Sequence, residues 1–138
     1  MLLNKPVPLF PPYVDLCEFD LEDYPELNEI FSANEPWWLE QFNWGKVFLT
    51  YIGRNKSEHT YDRFRNDVER FLLWAFIEKK KPIDQLRKSD FLEYADFCWQ
   101  PPVHWIGTSN QERFKIANGY SSANEHWFKF KIQAPKSL

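Results

Sequence analysis

The sequence predicts a mainly α-helical protein, a small helical bundle around one long central helix with an irregular N-terminal arm and C-terminal tail. Three observations carry this. Residues 57–81 place Tyr61, Phe64, Val68, Phe71, Leu72, Ala75 and Phe76 at helical spacing on one apolar face, with Asp62, Arg63, Asn66, Asp67, Glu69 and Arg70 opposite. Residues 1–36 contain Pro6, Pro8, Pro11, Pro12, Pro25 and Pro36, which leaves little room for a long helix. Beyond Gly107 the helix signals thin out.

The first 36 residues read as an extended or short-turn arm. Their apolar residues, among them Leu9, Phe10, Tyr13, Leu16 and Phe19, are too many for a solvated tail, so part of the arm is expected to pack along the helices. The arm holds one Lys against eight acidic residues, a net of −7, so residues 37–138 carry +4 of the chain's total of −3. An acidic arm lying over a basic site and weakening DNA binding is the other reading of that asymmetry.

Pro36 opens a first helix over Trp37–Ile52, with Trp38, Phe42, Phe48, Leu49 and Ile52 at helical spacing. Gly45 weakens it by about 1 kcal/mol relative to alanine but permits close approach to the long helix. Gly53 is expected to stop it, with Arg54, Asn55 and Lys56 turning into Ser57, an N-cap residue. Pro82 ends the long helix by Lys81, and Lys79, Lys80 and Lys81 suit either its C-terminal dipole or a phosphate. Ser89–Cys98 forms the next helix, with Phe91, Tyr94 and Phe97 inward. Asn118-Gly119 is a turn pair, and Trp127, Phe128, Phe130 and Ile132 form a strand or an apolar loop.

The seven Trp and thirteen Phe are read chiefly as core, or in part as a binding platform. No stretch is long and apolar enough for a membrane span, and the start lacks the pattern of a signal peptide, so a soluble, cytoplasmic protein is expected. Cys17 and Cys98 are isolated and expected to be reduced and buried, and His59, His104 and His126 lack metal-ligand spacing. No cofactor, metal or small-molecule substrate is indicated, and no catalytic motif is present.

What remains is a set of basic and hydroxyl residues around the turns: Arg54, Lys56, Ser57, Thr60, Arg63, Arg65, Arg70, Arg87 and Lys88. Those near helix starts suit phosphate binding together with free backbone amides. On composition alone a mixed solvated surface explains them as well, because residues 37–107 hold 11 basic and 10 acidic side chains.

The run WWLEQFNWGKVFLTYIGRNKSEHTYDRFRNDVERFLLWAFIEKKKPIDQLRKSDFLEYADFCWQPPVHWIG resembles the N-terminal core-binding domain of tyrosine recombinases, the phage-integrase family. The matching features are a first helix ending near Tyr51, Ser57 and Thr60 opening the second, the Tyr61-Phe64-Val68-Phe71-Leu72-Trp74 ladder, and the Leu86-Asp90-Tyr94-Phe97 spacing. Pro101-Pro102-x-x-Trp105-Ile106-Gly107 looks like the signature of one integrase subgroup. The resemblance covers residues 37–107, about half the chain.

It implies a SAM-like helical domain that clamps duplex DNA at a recombination site, with an acidic arm at 1–36 and, at 108–138, the start of an incomplete second half. The implied contacts are Lys56, Thr60, Arg63 and Lys88, then Arg87 and Arg70. The family's tyrosine nucleophile, arginines and His-x-x-Arg motif find no counterpart here, so the chain is expected to be non-catalytic alone, an excised or truncated piece of an integrase. Arg87 stands where a capping Thr is usual, and the acidic arm does not match a basic arm-binding domain. Other recombinase protomers are further expected partners. The rival reading is a protein-interaction or self-association module using Trp37, Trp38, Trp99 and Trp105.

Overall fold

The computed structural model describes residues 5–107 and 111–131. Five α-helices follow one another: α1 (Tyr13–Leu16), α2 (Pro25–Ala33), α3 (Pro36–Asn55), α4 (Glu58–Leu73) and α5 (Lys88–Trp99). Four short strands complete the described residues: β1 (Ile106–Gly107), β2 (Phe114–Ala117), β3 (Tyr120–Ala123) and β4 (Phe130–Lys131). β1 pairs in parallel with β4, and β2 with β3 as an antiparallel hairpin. The protein is mainly helical, as expected.

The long helix forms where the periodicity places it. Ser57 caps it, its hydroxyl accepting the Thr60 N–H at 3.2 Å, and Tyr61, Leu72 and Leu73 are buried. A π-helical turn, Trp74–Lys79, extends it, and Lys80 ends it in the left-handed conformation (φ 55°) two residues before Pro82. Phe64 departs from the expected inner face. It is partly exposed and meets Phe48 edge-on at 5.7 Å, so the two rings cover each other at the surface.

α3 runs past Gly53 to Asn55, so Arg54 and Asn55 are helical and not part of a turn. The glycine there answers a packing need: a Cβ would lie 2.1 Å from the Tyr13 ring. The stop comes from Lys56, which is extended ahead of the Ser57 cap. Gly45 does bring α3 against α4. A Cβ there would meet Val68 and Leu72 at 3.2 Å and Phe10 at 3.0 Å.

The arm departs most from expectation. Pro25 sits in the first turn of a helix, where a missing amide costs nothing, and α2 runs nine residues, burying Leu27, Ile30 and Phe31. Leu9 and Phe10 are fully buried, Phe10 stacking on Phe42 at 5.0 Å. That burial is the packing along the helices expected from the arm's apolar residues.

The tail is likewise ordered through the described residues 111–131. Asn118 and Gly119 take positive φ (54° and 80°) in the β2–β3 turn, as this pair favours. Phe130 lies in β4, while Ile132 falls outside the described residues. Trp127 and Trp105 are buried and so is Trp38, whereas Trp99 is 87% exposed. Phe91 points mostly outward, leaving Tyr94 and Phe97 as the inner residues of α5. Cys17 is exposed, contrary to the expected burial, because it follows the four-residue α1, which turns Tyr13 and Leu16 inward.

One charged residue of α4, expected on its polar face, belongs to the core. Glu69 has no exposed surface. Its Oε2 accepts the Leu9 N–H at 2.8 Å and the Phe10 N–H at 3.4 Å, and its Oε1 meets Arg113 Nη2 at 3.0 Å and Lys129 Nζ at 3.1 Å. Lys129 also donates to the Asn66 carbonyl at 2.7 Å and to the Asn66 side chain. Tyr61 adds a bond to the Pro11 carbonyl at 2.8 Å. Arm, central helix and C-terminal segment thus converge on one carboxylate.

Burial alone would raise the Glu69 pKa, but Arg113, Lys129 and the Leu9 amide outweigh it and hold the carboxyl at about 2. Burial lowers Lys129 to about 8, against the attraction of Glu69. Because the Glu69 value is depressed below its ordinary 4.5, the folded state gains from it above that pH and loses the gain as pH falls toward 2. A shift of this size is worth on the order of 3 kcal/mol. Urea denaturation should show stability declining steeply between about pH 4.5 and pH 2, and a Glu69→Gln chain should lose that dependence. Removing the carboxylate strands the buried Lys129 and the half-buried Arg113, so Glu69→Gln is also expected to cost about 3–5 kcal/mol at pH 7.

Candidate nucleic-acid interface

Two helix starts carry the predicted contacts. At α4, the Ser57 hydroxyl accepts the Thr60 N–H and donates to Thr60 Oγ1 at 3.0 Å. Thr60 is half-buried beside this cap. The first-turn amides and the positive end of the helix dipole lie at the same turn. Lys56 and Arg63, both exposed, flank this turn.

At α5, the Arg87 N–H donates to Asp90 Oδ2 at 2.8 Å, which fixes the helix start without a capping threonine. Asp90 also pairs with Lys79 at 2.8 Å and Lys81 at 2.9 Å. Those bonds hold its carboxyl well below the usual carboxylate range, Lys79 contributing most. Two of the three lysines in the run are therefore committed to tying α5 to the end of α4. Arg87 and Lys88 remain exposed beside this joint.

The structure thus separates the candidates. α5 starts against the C-terminal end of α4, through the Lys79 and Lys81 pairs, and returns along it, with Tyr94 reaching Phe71 and Arg70. Lys56, Thr60 and Arg63 lie at one end of α4 and Arg87 and Lys88 at the other, roughly 28 Å apart at 1.5 Å per residue. Arg70 lies between them, half-buried, with Nε on the Tyr94 hydroxyl at 3.1 Å and Nη2 on Asp67 at 3.2 Å. Its Nε serves the α4–α5 contact and its Nη2 an ion pair within α4.

Sequence reasoning passed over a second basic group: Arg113, Lys129 and Lys131, which meet Arg65 of α4 across an open groove. The one signal for it is Glu69, whose positions i+3 and i+4 are the buried Leu72 and Leu73, so an acid stands in the apolar arc and requires cationic partners. Among the described residues no group of His, Cys, Asp and Glu is placed to hold a metal ion, and no helix is long and apolar enough to cross a membrane.

Comparison of the chain with protein-family models, with curated proteins and with solved structures gives no match. Function has to be read from the site itself. The first feature to check is the Ser57 cap: Ser57→Ala should cost about 1 kcal/mol in urea denaturation, the usual worth of an N-cap hydroxyl.

Proposed function

We propose that this chain is a DNA-binding segment of a tyrosine recombinase of the phage-integrase type, a SAM-like bundle that positions the enzyme on recombination-site DNA and is not catalytic by itself. The observation that carries this reading is the start of α4. There the Thr60 hydroxyl, first-turn amides, and the exposed Lys56 and Arg63 are gathered within about two turns. Arg65, Arg70, Lys79, Lys81, Arg113 and Lys129 are each paired with an acid, whereas Lys56, Arg63, Arg87 and Lys88, like Lys5, Lys46, Arg54, Lys80, Lys115 and Lys131, have no carboxylate partner among the described residues. A duplex gripped at both ends of α4 is spanned over roughly eight base pairs, at 3.4 Å per step.

A second reading, self-association, has its own observation. Trp44, Val47, Phe48 and Tyr51 recur at helical spacing on the outer face of α3 and are 41–70% exposed, with Phe64 beside them. The tryptophans first considered for this role divide differently: Trp38 and Trp105 are in the core, Trp37 is half-buried and Trp99 is outside. Sedimentation separates the readings, since a strict monomer at high concentration argues against self-association.

Fluorescence anisotropy with a recombination-site duplex tests the first reading. With four phosphate contacts, log affinity should fall against log salt with a slope of about −3.6, and Lys56→Gln or Arg63→Gln should each reduce that slope by about 1. Salt-independent binding, or slopes unaltered in both variants, would refute it.

A further inference from the structure

We propose that the groove between α4 and the C-terminal strands is a binding site for a phosphate-class oxyanion. The groove has a volume of about 420 Å³ and is open to solvent. Arg65, Arg113 and Lys131 line it, with Lys129 behind them and Asp62 and Asn66 on the α4 side. Among the described residues the local charge does not balance. Four cations face Asp62, which pairs with Arg65 at 3.2 Å, and Glu69, which is already shared by Arg113 and Lys129.

Each guanidinium gives one Nη2 to a carboxylate, and the buried Nε of both Arg65 and Arg113 has no hydrogen-bond partner among the described residues. With five donors each, both arginines keep N–H groups beyond those that the acids accept. Burial and then the neighbouring Arg113 depress the pKa of Arg65 and of Lys131, so these like charges repel one another where no anion lies between them. A tetrahedral oxyanion carrying two negative charges matches the excess in both sign and number, and planar guanidinium forks suit its oxygens.

The site stands apart from the proposed DNA contacts. At 3.6 residues per turn, Asp62, Arg65, Asn66 and Glu69 lie roughly 140° around α4 from Thr60 and Arg63. The anion is either a free phosphate group or a phosphate of a nucleic-acid backbone reaching this second face.

Titration of the full chain with inorganic phosphate, at ionic strength held constant with chloride, tests the proposal through the arginine side-chain resonances in nuclear magnetic resonance. Saturable shifts at Arg65 and Arg113 are expected. Lys131→Gln, at an exposed position, should weaken phosphate binding about tenfold, the worth of one charge-assisted hydrogen bond. Lys56→Gln should leave it unchanged. Displacement of the phosphate by a duplex assigns the natural anion to a nucleic-acid backbone, and persistence assigns it to a small molecule; both uphold the site. Shifts that do not saturate, or that saturate equally in Lys131→Gln and the parent chain, overturn it.

Discussion

The Glu69 carboxylate is the constraint on which the rest of the structure depends. A charge removed from water is tolerated only when its lone pairs and its sign are both answered. Here two backbone amides of the arm and two cations of the C-terminal segment supply those answers. The arm is consequently held by more than its apolar side chains: its backbone is fixed in direction at Leu9 and Phe10, and Phe10 is thereby delivered onto Phe42 and into the space that Gly45 leaves open. The same carboxylate draws Arg113 toward α4, which places it across the groove from Arg65.

Electrostatics also sorts the surface. Where acid and base meet, as at Asp90 with Lys79 and Lys81, the pair joins one helix to the next and the charge is silent toward solvent. Where no acid pairs with the cation among the described residues, as at Lys56 and Arg63, the charge faces solvent. Counting basic residues along the chain cannot distinguish the two groups, because Lys79 and Lys88 look alike until their neighbours are known.

The helical elements were legible in the sequence wherever a local signal set them. The Ser57 cap, the stop before Pro82 and the Asn118-Gly119 turn all depend on residues within a few positions of one another. The close approach at Gly45 was legible because a helix interior holds a glycine only for a reason. The arm was misread because proline density was weighed without position: Pro25 disfavours a helix in its interior and favours one at its start, and here it is at the start. Gly53 was misread for a related reason, since its value lies in the Tyr13 ring that packs on it from forty residues earlier. The residues proposed as contacts at the start of α4 lie close together in the sequence and could be named from it. The groove was not, because Arg65 and Lys131 come together only through the fold.

The span of the Glu69 cluster has a consequence for how the chain acquires its structure. Leu9 precedes the carboxylate by 60 residues and Lys129 follows it by 60. Contacts so distant in sequence require long loops to close before they give any stabilisation. During synthesis the arm and α4 emerge well before the two cations, so for that interval the carboxylate has amides to bond but no opposite charge to neutralise it. Docking of the β2–β3 hairpin and of Lys129 is then the step that commits the core, and a ribosome-bound chain that has not reached residue 113 holds its central helix without the cations that Glu69 requires.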